Sequence, residues 1–336
     1  MQIGIDVGGT KIEGILLDDT GQEIRRERTP TFPGHYDSTV NTIVTLCKFL
    51  ETKSNGPCTV GIGAPGSVSP INGLHRNANS TCLNNQNFRA DIENLLGKEV
   101  QLANDANCFA LSESVDGAGA GFNVVFGVIL GTGVGGGIAI NQTVRPGLNG
   151  IAGEWGHNPL PWPDTTDHHS VKCFCGQTNC IETFLSGPSL LRDYQSNGGT
   201  LHSVEAMAQS VGIDSAAEAA LARYSRRLSR ALAQIINVLD PDGIVLGGGL
   251  SNITSLYDTI PQELPDYVFS DACDTPIVRN QHGDSSGVRG AAWLGTKPEN
   301  YESGMPMQGL RTNFSRKQCT SVCLLRQSAF HSTPGT

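Results

Sequence analysis

Ile3-Gly4-Ile5-Asp6-Val7-Gly8-Gly9-Thr10-Lys11-Ile12-Glu13-Gly14-Ile15-Leu16-Leu17 is the stretch on which the fold turns. Ile3 to Val7 reads as a buried strand, Gly8 to Lys11 as a tight turn, and Ile12 to Leu17 as the returning strand. Glycines in such a turn let backbone amides approach a phosphate with no Cβ in the way, and clustered amides form an anion-binding nest. Asp6 stands at the strand end, where a carboxylate can reach a magnesium ion through water. A lone Gly-Gly-Thr turn is an ordinary hairpin, so the weight comes from a second copy. Val124 to Leu130 is an apolar strand, Gly131-Thr132-Gly133-Val134-Gly135-Gly136-Gly137 a glycine turn, and Ile138 to Ile140 a return. Two such units predict duplicated halves facing one phosphate chain. Neither turn has the P-loop spacing, and neither is a Gly-x-Gly-x-x-Gly that opens a helix.

Outward from these hairpins, Val40, Ile43, Val44, Cys47 and Leu50 recur at helical spacing, with Asp37 or Ser38 as the expected N-cap. Thr59 to Gly63 is a short strand, and Asn77-Ala78-Asn79-Ser80-Thr81 a polar loop whose amides and hydroxyls suit either turn formation or sugar hydroxyls. Val100 to Ala103 is a further strand, and Asn104-Asp105 opens the next helix. There Asp105 is either a helix cap or a general base exposed at a strand's carboxyl end. Asp116 to Gly121 looks like a hinge. Leu221, Tyr224, Leu228, Leu232, Ile235 and Leu239 mark a long amphipathic helix ending at Asp240-Pro241. Ile244 to Leu246 then runs into Gly247-Gly248-Gly249, where Gly248 and Gly249 let a nucleotide base or ribose lie against the backbone. A short helix from Val288 to Leu294 is placed to cross back over the first domain.

The chain has 336 residues and a net charge of -9. That length suits about two domains, and the absence of a basic block argues against binding nucleic acid as a whole-surface property. No apolar run reaches the roughly 18 residues of a membrane span, and no signal peptide is visible, so a cytoplasmic enzyme without a membrane partner is expected. From about Pro298 the periodicity fades and the charge turns positive, which predicts a disordered tail over 297–336.

Ten cysteines in a chain of this length do not imply disulfides. Cys47, Cys58, Cys82, Cys108 and Cys273 are scattered and read as buried thiols. By contrast, Gly153-Glu154-Trp155-Gly156-His157, Cys173-Phe174-Cys175-Gly176 and Cys180-Ile181-Glu182 gather two carboxylates, an imidazole and three thiols. Three thiolates and one imidazole make a closed tetrahedral zinc set, which is structural because it leaves no open position. Local spacing favours His169 as the nitrogen ligand, although Pro159, Pro161 and Pro163 suggest a loop that carries it away; the rival is His157.

One chemistry accounts for paired phosphate-type hairpins, an Asn-Asp at a strand end and a Glu154/His157/Glu182 cluster beside cysteines: phosphorylation of a polyhydroxylated small molecule. Carboxylates and a neutral imidazole hydrogen-bond sugar hydroxyls. Phosphoryl transfer itself needs mainly positioning and charge neutralisation. In this scheme His157 would bind zinc through one ring nitrogen and a sugar hydroxyl through the other.

At these residues the sequence resembles the ROK family of sugar kinases and repressors, within the actin-like ATPase superfamily. The stretches that carry the likeness are 6–11, 63–66, 102–106, 130–135, 153–157, 173–176 with Cys180, and 246–249. The resemblance implies an α/β fold of two actin-like (ribonuclease H-like) domains around a central cleft. These are expected at 1–119, completed by a helix at 287–296, and at 120–286, which carries the zinc loop. It makes Asp105 the catalytic base, and has Asn79, Asn104, Asp105, Glu154, His157 and Glu182 hold the sugar. Asp6, Gly8, Gly9, Thr10, Lys11, Gly131, Thr132 and Gly133 would surround the phosphates of Mg-ATP. Zinc would sit on His157, Cys173, Cys175 and Cys180. Stretches 77–81, 156–162 and 283–290 look like those of the bacterial fructokinase (manno(fructo)kinase) branch. The expected activity is therefore ATP-dependent phosphorylation of D-fructose, and also mannose, at the 6-hydroxyl, by a homodimer. Glucokinase and N-acetylglucosamine or N-acetylmannosamine kinase use the same residues and stand as alternatives. A sugar-sensing repressor would need a winged-helix domain, for which the five residues ahead of Asp6 leave no room.

Overall fold

The structure is a computed structural model that describes residues 1–167, 171–283 and 286–296. The expectations placed on His169, on Asp284 and Ser285, and on the tail 297–336 lie outside the described residues.

Two five-stranded sheets repeat one plan. In the first, β1 (Gln2–Val7) pairs antiparallel with β2 (Lys11–Leu17), which pairs antiparallel with β3 (Glu23–Pro30). On its other side β1 runs parallel to β4 (Thr59–Ala64), and β4 to β7 (Gln101–Asn104), giving the order β3-β2-β1-β4-β7. The second sheet joins β8 (Val124–Leu130), β9 (Val134–Ile140), β10 (Thr143–Val144), β11 (Gly243–Gly247) and β12 (Ile277–Arg279) in the order β10-β9-β8-β11-β12. It has the same antiparallel and parallel senses. The duplication read from the two glycine turns is therefore a duplication of whole sheets. The second turn is tighter than expected: β9 starts at Val134, because Gly135, Gly136 and Gly137 all pair with β8.

Helices fill the space on and between the sheets. α1 (Tyr36–Glu51) and α2 (Phe88–Leu96) bury Val40, Ile43, Phe88 and Ile92 with Ile3, Ile12 and Ile62 of the first sheet. The N-cap of α1 is His35 rather than Asp37 or Ser38, and it makes no side-chain cap bond. Because the helix starts earlier, Asp37 falls in its first turn, where a carboxylate favours the positive end of the helix dipole. The other face of the first sheet receives α9 (Ser286–Trp293), with Val288 and Ala292 packed on Ile15 and Leu17. α3 (Asp105–Val115) lies against α9 on one side and against β8 and β9 on the other. Gly290 permits this: a Cβ there would sit 1.7 Å from the Cys108 carbonyl oxygen. Beyond the second sheet, the long helix α7 (Ser215–Leu239) buries Tyr224, Leu228 and Leu232 against Phe126, Val128 and Ile244.

Two charged side chains hold these layers together. Glu113 of α3 is fully buried, and its carboxylate accepts the amides of Ala118 and Gln281 and the hydroxyl of Ser286 at 2.7–3.0 Å. It thus pins the start of α9 to the end of α3. Glu13 on β2 is 1% exposed and receives Lys11, Arg26 and Arg28. This explains why the charged sequence of β3 forms a strand that apolar periodicity does not reveal. No helix among the described residues is long and apolar enough to cross a membrane.

Candidate active site

The parallel strands of each sheet deliver their carboxyl ends, the usual location of α/β active sites, to one cleft. Asp6 is the penultimate residue of β1, separated by Val7 from Gly8-Gly9, and desolvation raises its pKa to about 7, with Asp105 and Glu13 adding to the rise and Lys11 opposing it. Its carboxylate accepts no hydrogen bond from the described residues. Lys11 is itself drawn to Glu13, 3.2 Å away.

Asn104 ends β7 and Asp105 opens α3. Asn104 is the N-cap of α3: its Oδ1 accepts the Ala106 amide at 2.8 Å, and its Nδ2 donates to the Gly66 carbonyl at 3.2 Å. Since Asn104 does the capping, Asp105 is released from it, although its own Oδ1 shares the Ala106 amide at 2.9 Å. Asp105 is half-buried, and desolvation of its carboxylate raises its pKa. Gly66 in turn abuts the segment carrying Asn79; a Cβ on Gly66 would meet the Arg76 carbonyl oxygen at 2.4 Å. Asn79 lines a cleft of about 230 Å³ with Gly8 and Gly9, so it stands beside the first glycine turn.

In the second lobe, Gly131-Thr132-Gly133 closes the β8–β9 hairpin with the Gly131 amide on the Gly133 carbonyl at 3.0 Å. β11 pairs Gly247 with Ile129 of β8, which brings Gly248 and Gly249 beside this turn. Glu182 starts the short helix α4 (Glu182–Leu185) and accepts the Val134 amide on Oε2 at 3.0 Å. Glu154 opens on the cleft from the turn before the 3-10 segment Trp155–His157. Burial on its flanks raises its pKa, which His157 lowers and Asp105 and Glu182 raise further. The charges of His157, Asp105 and Glu182 thus all reach Glu154.

The ligand atoms of His157, Cys173, Cys175 and Cys180 all lie within 4.8 Å of one another. Nδ1 of His157 is 3.5 Å from Sγ of Cys173, and Sγ of Cys175 is 3.7 Å from Sγ of Cys180. Tetrahedral coordination with Zn–S about 2.3 Å and Zn–N about 2.0–2.1 Å separates sulfurs by about 3.8 Å and sulfur from nitrogen by about 3.6 Å. A disulfide would need sulfurs about 2.05 Å apart. All cysteines among the described residues are free. With Nδ1 turned to the thiols, Nε2 of His157 is left for another partner. Cys173 also reaches the Glu182 carboxylate, at 3.8 Å.

Sequence reasoning missed the side chains that hold these parts in place. Glu113 is one: residues 106–114 of α3 are all buried, so its charge must be paired, and its partners Gln281 and Ser286 lie far away in the chain. Asp167 is another. It is buried under Arg227 Nε and Arg230 Nη2, both 2.7 Å away, and so fastens the segment ahead of Cys173 to α7. Nothing in the local sequence reveals a pairing that spans some sixty residues.

A fold of two repeated sheets closing on a cleft with this residue set defines an actin-like ATPase of the sugar-kinase type. The ROK family profile matches residues 2–297, and the chain belongs to the ROK family. Relatives at 37–38% identity are named N-acetyl-D-glucosamine kinase. That of Haemophilus influenzae is 38% identical over 308 residues, covering 88% of this chain and 99% of the relative. Among solved structures, a ROK hexokinase from Thermus thermophilus superposes with a TM-score of 0.77 at 26% identity, over 88% of this chain and 97% of the other. A ROK family glucokinase from Streptomyces griseus in complex with glucose and AMPPNP gives 0.71 at 26% identity, over 88% of this chain and 98% of the other. The chain is accordingly a ROK sugar kinase, an ATP-binding transferase whose substrates are a sugar and ATP. The fructokinase assignment is corrected: the relatives matched over nearly their whole length carry the N-acetyl-D-glucosamine name.

Proposed function

We propose that this chain phosphorylates N-acetyl-D-glucosamine at the 6-hydroxyl with Mg-ATP in the cytoplasm. The observation that carries the proposal is the 37–38% identity, over 98–99% of their length, to kinases named for that sugar. Asp105 accepts the proton of the 6-hydroxyl; its raised pKa places it nearer the working pH, where a base is most effective. Asn104, Glu154, His157, Glu182 and Asn79 hold the ring hydroxyls. Gly8 to Lys11 and Gly131 to Gly133 receive the phosphates, and Gly248 and Gly249 the nucleoside.

Magnesium would neutralise charge on the transferring phosphate, and the half-buried Asp6 carboxylate, which accepts no hydrogen bond from the described residues, is a fitting partner for it. The Cys/His set has the spacing of a zinc site, and zinc on Nδ1 of His157 would fix the tautomer that presents Nε2 to the sugar. Lobes at 1–119 with α9 and at 120–286, and assembly as a homodimer, belong to the same proposal. ADP release measured with Mg-ATP across N-acetylglucosamine, N-acetylmannosamine, glucose, mannose and fructose tests it. The highest kcat/KM is expected for N-acetylglucosamine; faster turnover of an unsubstituted hexose would overturn the assignment.

A further inference from the structure

The segment that carries Cys173, Cys175, Cys180 and Glu182 leaves Asp167 and ends at Phe184, and both ends arrive at one side chain. Arg227 of α7 is 2% exposed, and all three of its guanidinium nitrogens are bonded. Nε meets Oδ1 of Asp167 at 2.7 Å, and Nη2 donates to the Thr166 carbonyl at 3.0 Å. Those two bonds hold the near end. Nη1 meets Oδ1 of Asp193, on α5 (Gly187–Ser196), at 2.9 Å. The central carbon of the same group lies over the ring of Phe184, 5.5 Å from its centre, where a cation is attracted to the ring's electrons. Phe184 is buried and belongs to α4, which Glu182 opens. One guanidinium therefore holds the far end as well.

Stability alone does not call for a charge here, because replacing buried ion pairs by apolar groups of similar size is often neutral or stabilising. The planar fork of arginine does what an apolar side chain cannot: it fixes the direction and spacing of the segments bonded to it. That matters for Glu182, since α4 spans only four residues and so short a helix does not hold its own direction. Between its ends the segment folds back toward His157. Lys172 bridges Thr178, Cys180 bridges Pro159, and the Ile181 amide donates to the Asn158 carbonyl at 2.8 Å. Where Glu182 points thus depends on where the two ends are held.

We propose that Arg227 is a positioning residue of the kinase, which aims the Glu182 carboxylate at the sugar by holding Asp167 and Phe184 at a fixed separation. This rests on the placement of Glu182 at the sugar made above. Arg227 acts through its neighbours and touches neither substrate. Its effect therefore falls on sugar binding and not on ATP, whose phosphates are received by the glycine turns.

The test measures KM for ATP and for the sugar that the unmodified protein turns over fastest, together with Tm, in Arg227→Met, Arg227→Lys, Phe184→Leu, Arg223→Gln and Glu182→Gln. Arg223→Gln is the control: Arg223 pairs with the other oxygen of Asp193, at 2.7 Å, so its loss breaks an ion pair of the same network and leaves the bonds of Arg227 to Asp167 in place. Arg227→Met is expected to raise the sugar KM about tenfold or more, since a displacement of about 1 Å suffices for such a loss, and to leave the ATP KM within about twofold. Arg227→Lys, which keeps the charge without the fork, should recover part of that loss. Phe184→Leu, which keeps every ion pair, should raise the sugar KM several-fold, and it keeps the test valid should the Arg227 variants fold poorly. Arg223→Gln should lower the Tm and leave the sugar KM within about twofold. If Glu182→Gln raises the sugar KM while the folded Arg227 and Phe184 variants move both constants equally or neither, Arg227 only stabilises the lobe and the proposal is overturned. If Glu182→Gln itself leaves the sugar KM unchanged, the sugar role of Glu182 fails and the proposal fails with it.

Discussion

Oε2 of Glu182 accepts the amide of Val134 at 3.0 Å, so a residue two positions after Cys180 is tied to the residue that closes the second glycine turn. Oε1 of the same carboxylate lies 3.8 Å from Sγ of Cys173. The cysteine cluster, the Glu182 carboxylate and the second glycine turn are therefore one connected unit.

The first consequence concerns metal. Elemental analysis of the purified kinase is expected to find one zinc per chain, and Cys175→Ser to lower that content. Because the metal would orient His157 and Glu182, its loss should raise the sugar KM by about 10- to 100-fold, the usual cost of disturbing groups that orient a site, and the ATP KM much less. Equal rises in both constants would mean that the cluster only stabilises the lobe.

Asp105→Asn separates the base from the cap. Asn104 continues to cap α3, so the variant should fold and bind sugar within a few-fold by calorimetry, while kcat falls by about 10²- to 10⁴-fold. The sign of the pH effect follows from the raised pKa. A base must be deprotonated, so kcat/KM declines as pH falls through a value above the ordinary carboxylate range. A pH profile flat down to pH 4 would remove Asp105 from the role.

Asp6 makes the opposite demand on stability. Its carboxyl holds a proton in the folded chain up to a pKa of about 7, against 3.8 for the ordinary group. Between those values the folded state binds more protons than the unfolded state, so stability is lost as pH rises across that interval. In metal-free protein the Tm should fall between pH 5 and pH 7.5. Asp6→Asn should flatten that slope and raise the Tm at pH 7.5, while abolishing turnover. An unchanged slope in the variant would assign the pH dependence to another group.

Asp167→Asn tests the fastening of the cysteine segment to α7. Arg227 and Arg230 both lose a buried carboxylate partner, and breaking such a pair costs about 3–5 kcal/mol. Urea unfolding is expected to show a lower midpoint; a midpoint within error of the parent would mean that Asp193 and backbone carbonyls suffice for the arginines.

Much of this was legible in one dimension because the signals are local. Glycine turns between apolar strands announce hairpins at 8–11 and 131–133, and Asn104-Asp105 marks a strand passing into a helix. Cysteines two and five apart announce a ligand set. The β3 strand and the ties through Glu113 and Asp167 were not legible, because their charges are satisfied by residues far away in the chain. The fructokinase reading was overturned by likeness over the whole chain, to relatives named N-acetyl-D-glucosamine kinase, and not by any single motif.

The sequence by itself thus determined the duplicated hairpins with their glycine turns and the ligand-like spacing of the three cysteines, since each depends on spacing along the chain. Only the tertiary structure decided that Asn104 rather than Asp105 caps α3, that His157 stands with the three thiols, and that Glu182 joins them to the Val134 turn. Those outcomes depend on distances across the fold, which chain closure and burial set and no local pattern records.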